Sequence, residues 1–208
     1  MSAIRLLTIL FLSILIGSCA ATDEIPPPTI LPAIPTATHA STEEVISYKA
    51  DQVIEALRDR DLDRLANLAH PSQGIRFSPY AFVRAADISV SVEEVPQLLS
   101  QETVRLWGVY DGSGAPIELT FAQYYQQFIY DQDFASAEEV GYDRRLGGEG
   151  GTINNIPEFY PGGVMVEYHF SGFEPDYGGL DWRSLRLVFV QDGDEWFLVG
   201  IVHDEWTT

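Results

Sequence analysis

The stretch "SLRLVFVQDGDEWFLVGIVHDEW", Ser184–Trp206, decides how this chain folds. Two long runs rich in Leu, Val, Ile and Phe flank Asp192-Gly193-Asp194. Asp-Gly between apolar runs is a strong signal for a β-hairpin. Its register carries weight because side chains alternate across a strand. A two-residue turn at Asp192-Gly193 sets Val188 opposite Phe197 and Arg186 opposite Val199, so Arg186 shares a face with His203. A one-residue bulge reverses that assignment.

Working outward, "GGVMVEYHF" (162–170) reads as another strand. Val164, Val166, Tyr168 and Phe170 fall on one face, and Met165, Glu167 and His169 on the other. "ETVRLWGVY" and "PIELT" flank the turn-rich "DGSGA", a second hairpin. Helices precede these strands. Ser41-Thr42-Glu43-Glu44 is a capping box, followed at helical spacing by Ile46, Ala50, Val53 and Leu57, which predicts a helix over 43–59. Asp61 caps a short second helix with Leu62, Leu65 and Leu68 on its face and Pro71 beyond it. Thr120–Gln123 offers another capping box for a helix reaching about 131. "SVEEVPQLLS" is a short helix at most, because Pro96 opposes a long one. Helices first and long antiparallel strands last predict an α+β domain, its N-terminal helices packed on a curved antiparallel sheet. This element order resembles the NTF2-like cone.

The chain opens MSAIRLLTILFLSILIGSCAA. One cation, an apolar run from Leu6 to Ile16 and small residues before Cys19 describe a secretory signal peptide. The run is too short for a mature membrane span, which needs about 20 residues. Leu15-Ile16-Gly17-Ser18-Cys19 resembles the lipobox of bacterial lipoproteins, although the n-region has a single basic residue, Arg5. The resemblance implies cleavage before Cys19 and lipidation of its thiol. Cys19 is the sole cysteine, so no disulfide within the chain is possible, and lipidation would explain an unpaired thiol on an exported chain. One acyl chain anchors marginally and two anchor stably, so a diacylated Cys19 would tether the protein to the cell membrane on its extracytoplasmic side.

Residues 1–18 then form the signal peptide, and 19–42 the lipidated cysteine with a Pro/Thr-rich linker. Residues 43–208 form one globular α+β domain. The linker holds five prolines among residues 20–42 and could reach roughly 70 Å if extended at about 3.1 Å per residue. His39 lies within it.

The chain carries 31 acids against 12 bases. Losing residues 1–18 removes Arg5 alone and leaves a formal charge of −20. Such acidity argues against nucleic-acid binding, which needs a basic face, and against electrostatic attraction to anionic lipid. It suits a solvated surface that keeps an exported protein soluble. Motifs for a P-loop, an HExxH zinc site, a calcium loop or a CxxC pair are missing. "GGEGGT" (147–152) lacks GxGxxG spacing and reads as a flexible loop, so no cofactor or metal is expected.

The remaining chemistry lies in His70, Arg76, Tyr80, Glu167, His169, Arg186 and His203, the candidate pocket residues. His70, Arg76 and Tyr80 fall in "AHPSQGIRFSPYAFV" (69–83), a loop-strand-loop segment of the kind where binding residues often lie. Glu167, His169, Arg186 and His203 could meet if the last hairpin has the unbulged register, giving an anion site or an acid–base pocket. Otherwise they are the outer face of a half-exposed sheet. The 69–83 segment, "YDGSGAPIELTF" and the final hairpin together resemble a domain of uncharacterised bacterial exported proteins and lipoproteins. No activity follows from that likeness. Three functions remain: a ligand- or protein-binding module, with a cell-envelope protein or a glycan as partner; a structural envelope protein; and a His/carboxylate enzyme.

Overall fold

A computed structural model of the chain describes residues 40–148 and 153–207. The lipobox, Cys19, His39 and most of the linker lie outside the described residues.

Helix α1 spans Thr42–Asp59. Ser41 caps it by the reciprocal pattern expected, its hydroxyl accepting from Glu44 N while the Glu44 carboxylate accepts from Ser41 N at 2.7 Å. The anticipated apolar face, Ile46, Ala50, Val53 and Leu57, is fully buried, and Ile46, Val53 and Leu57 each contribute roughly 1.5–3 kcal/mol. Helix α2 (Leu62–Leu68) starts at Asp61, whose carboxylate accepts from Arg64 N. Helix α3 (Phe121–Phe128) has the Thr120–Gln123 box, but stops short of 131. Around Pro96 the chain forms a 3-10 turn, Val95–Ser100.

Eight strands follow in chain order: β1 (Ile75–Ser78), β2 (Ser89–Val90), β3 (Arg105–Val109), β4 (Pro116–Leu119), β5 (Glu139–Tyr142), β6 (Val164–Phe170), β7 (Arg183–Asp192) and β8 (Glu195–Glu205). Strands β3 and β4 make a separate two-stranded hairpin. The other six form one sheet in the order β2-β1-β8-β7-β6-β5. The α+β architecture holds, with one refinement: β1 runs parallel to β8 while the other pairs are antiparallel. Nothing local to either strand announces a pairing between an early strand and the last one.

The helices and the β3–β4 hairpin cover one face of the sheet, termed inner, and build the main core. Trp107 stacks on Tyr124 with ring centroids 4.1 Å apart, and Phe77 meets Trp107, Phe121 and Tyr124 edge-on. The outer face is covered too. A short helix α4 (Ile156–Phe159) and the loop around Val83 pack on Met165, Val188, Val199 and Val202. Asn155 ties the two covering segments together, accepting from Val83 N at 2.7 Å and donating to Val83 O at 2.9 Å. The half-exposed sheet considered from the sequence is therefore covered across much of both faces.

Candidate functional site

The last hairpin turns at Gly193-Asp194, since Asp192 pairs with Glu195. That shifts the turn by one residue and alone would leave Arg186 and His203 on one face. A bulge then intervenes. Phe189 pairs with Leu198 but Val188 pairs with Gly200, so Val199 is the extra residue. Parity flips beyond it. His203 sits opposite Leu185 on the inner face, and Asp204 takes the place beside Arg186 on the outer one. The expected meeting of Glu167, His169, Arg186 and His203 is thus split between two faces.

On the outer face, Glu167 and Arg186 are directly opposed across β6 and β7. Arg186 Nε lies 2.9 Å from Glu167 Oε2, and Nη2 lies 3.2 Å from Oε1 and 2.8 Å from Asp204 Oδ2. All three side chains are fully buried. Residues 144–148 fold over the cluster, and Leu146 N and Gly147 N donate to the Glu167 carboxylate at 3.0 and 2.9 Å. Two glycines permit this approach. A Cβ on Gly141 would stand 2.7 Å from Arg144 O, and one on Gly147 2.5 Å from Ser184 Oγ. Gly147, read from the sequence as part of a flexible loop, is pinned to the sheet; residues 149–152 of that loop lie outside the described residues. Arg145 approaches from above, its guanidinium 4.0 Å from Asp204 and its Nε donating to Gly147 O at 2.7 Å. His169 stands at the rim, with Nδ1 2.9 Å from Ser184 Oγ and its ring tilted against Trp182.

Burial pushes the Glu167 carboxyl up, and the Arg186 guanidinium and the backbone donors outweigh it, leaving its pKa below the ordinary value. The sign for stability follows. A group lowered on folding stabilises fully above its unfolded pKa, about 4.3 for Glu, and that stabilisation disappears as pH falls through the lower folded value. Acidification from neutral pH to below about 4 is expected to shift the urea midpoint down. Glu167→Gln should start less stable and lose less on acidification. Parallel pH profiles for the two proteins would contradict this.

A second cluster lies on the inner face. His203 Nε2 is 3.3 Å from Asp131 Oδ1, close enough to pair but poorly aligned for a hydrogen bond. Asp131 Oδ2 also accepts from Arg183 Nε at 3.0 Å, and Arg183 reaches Glu205 at 3.0 Å. Burial raises the Asp131 carboxyl, and His203 and Arg183 together bring it below its usual value. The His203 ring is fully buried, edge-on to Phe128 at 5.7 Å.

The other candidates have separate duties. Tyr80 packs edge-on against Phe128, with ring centroids 5.8 Å apart. Arg76 holds a loop: its Nη1 donates to the carbonyls of Arg84, Ala85 and Asp87, and its guanidinium lies over Phe159. His70 sits two residues past α2. Its Nδ1 accepts from Ser72 N and Gln73 N, which places the ring proton on Nε2, 3.7 Å from Asp192. The seven residues therefore do not share a pocket. Asp131, Arg145, Arg183 and Asp204 were missed as partners; Asp204 follows His203 directly, and only the bulge reveals which of the two belongs beside Arg186.

Two of the domain's recesses lie elsewhere. One, of about 410 Å³, runs between α2 and the 95–100 turn and is lined by Asp63, Asn67, Glu93 and Phe197 among others. The other, of about 390 Å³, lies beside α4 and is lined by Arg145, Asn154 and Met165 among others. Neither is lined by His203, Asp131, Glu167 or Arg186. Among the described residues, no group of three or more His, Asp or Glu side chains could hold a metal ion, and no helix is long and apolar enough to cross a membrane.

No family model matches the chain, and no curated protein matches it. Among solved structures, a designed NTF2-like protein is similar over 76% of this chain and 94% of its own, with 10% identity and a TM-score of 0.29. At that score the likeness carries no argument about function.

Proposed function

We propose that the protein is a lipoprotein tethered to the cell membrane through Cys19 on its extracytoplasmic side, and that its α+β domain is a binding module for a ligand or a cell-envelope protein. The observation that carries the tether is Leu15–Cys19, placed after a short apolar run and containing the sole cysteine. Two acyl chains on that thiol would hold the chain at the membrane where one would not, and the linker would let the domain reach partners away from the bilayer. Binding is favoured over catalysis because Glu167, Arg186, Asp204 and His203, the groups that would carry acid–base chemistry, are fully buried and line neither of the two recesses. A role as a structural envelope protein differs only in whether the partner is permanent.

Growth with an alkyne-bearing fatty acid tests the tether. The wild-type chain should take up the label and Cys19→Ser should take up none. A label retained on the variant, or absent from the wild type, would remove the basis for the reading.

A further inference from the structure

The segment joining β6 to β7, residues 171–182, leaves three large apolar side chains in solvent. Phe173 is 42% exposed, Tyr177 59% and Leu180 52%. Single exposed apolar residues are ordinary on a protein surface. Three within eight residues of one loop form a patch of the kind that marks an interaction site.

The loop is also rigidly built. The Asp181 carboxylate accepts from Phe173 N at 3.1 Å and Glu174 N at 2.8 Å, closing the loop at its base. Pro175–Tyr177 form a 3-10 turn, and Leu180 N donates to Tyr177 O at 3.0 Å. On the flank, Glu138 accepts from both Ser171 N and Ser171 Oγ. A ladder of rings, Tyr130, Phe134, Phe170 and Phe173, runs from the core out to the loop with neighbouring centroids 5.3 to 6.0 Å apart. An apolar patch held this way loses little conformational freedom when it binds.

Position and charge narrow the partner. Tyr168 on β6 donates to Asp51 in the middle of α1, and the end of α1 packs near the 130–136 segment that supports the loop. The start of α1 lies at the opposite end of that 18-residue helix, roughly 27 Å along its axis. Residues 171–182 contain Glu174, Asp176 and Asp181 and no base, with Glu138 bonded to Ser171 beside them. Such a surface repels anionic lipid and complements cations.

We infer that the 171–182 loop is a docking surface for a protein segment that presents an apolar side chain next to Lys or Arg, Tyr177 being its central contact and Glu174 and Asp176 its charged rim. This rests on the domain being a binding module and not on the lipid tether, so the fatty-acid labelling and the test below fail independently.

The test is a random dodecapeptide library displayed on phage, selected on the full-length chain in detergent. Enriched peptides should combine an aromatic or aliphatic residue with Lys or Arg. A synthetic copy of the leading peptide should bind Tyr177→Ser and the double variant Glu174→Lys/Asp176→Lys at least about tenfold more weakly than wild type, as for a central contact. Its affinity should also fall with salt. All three side chains are exposed, and unchanged melting temperatures confirm that the variants fold. Enrichment no better than chance, peptides without bases, or equal binding to all three proteins would overturn the proposal. So would binding to vesicles of phosphatidylcholine and phosphatidylglycerol that depends on Tyr177, since the surface would then serve a membrane.

Discussion

Replacing Arg186 with alanine is expected to destabilise the domain by about 3–5 kcal/mol, the range for removing one partner of a buried ion pair. The reason is geometric. Arg186 bridges Glu167 and Asp204, and all three are without solvent contact. Without the guanidinium, two carboxylates face each other in a low-dielectric interior. For a domain of this size each kcal/mol moves the melting temperature by roughly 2–4 °C, so a fall of about 6–20 °C is expected. A second variant separates charge from packing. Replacing the whole triad, Glu167→Leu with Arg186→Met and Asp204→Leu, removes the uncompensated charge and should be far less harmful than Arg186→Ala alone. Thermal unfolding of both variants checks this. A loss below about 1 kcal/mol for Arg186→Ala, the range of exposed pairs, would show that the cluster is hydrated.

The second large effect is expected at Trp107. This side chain is 1% exposed. It stacks on Tyr124, meets Phe77 edge-on, and donates from Nε1 to Leu119 O at 2.9 Å. It therefore joins β3 to β4 and anchors that hairpin, which belongs to no larger sheet, to the helical layer. Trp107→Ala should lose about 3–5 kcal/mol through lost burial and the cavity left behind. Trp107→Phe keeps most of the ring area and should lose distinctly less. Urea unfolding gives both values. Equal effects from the two variants would mean that the indole hydrogen bond, and not packing, holds the hairpin.

Much of the fold could be read from local pattern. The α1 face, both capping boxes and the parity of β6 each depend on residues a few positions apart, where helical or strand spacing acts directly. Non-local features were not legible. The bulge at Val199 is hinted at by the adjacent Gly200 alone, a strand glycine of the kind that accompanies bulges, yet it decides whether His203 or Asp204 accompanies Arg186. The parallel pairing of β1 with β8 and the folding of residues 144–148 over Glu167 join segments distant in sequence. Gly141 and Gly147 matter there for the side chains they lack, which shows only once the covering backbone is in place. The candidate list held Glu167 and Arg186, but their partner Asp204 and the inner-face partners Asp131 and Arg183 needed the register.

The two polar clusters also change how the histidines are to be read. A histidine beside a carboxylate suggests acid–base work, and His203 with Asp131 has that composition. Its ring, however, is packed edge-on against Phe128 with no exposure. The outward-facing chemistry of the domain lies instead in acidic surface and apolar loop residues, on which the proposed recognition role rests.

The intact mass of the chain purified from membranes decides whether Cys19 carries the proposed lipid. The expected polypeptide begins at Cys19 and carries the mass of a diacylglycerol group on its sulfur. An unmodified chain that retains residues 1–18, or one that begins elsewhere, would contradict the proposal.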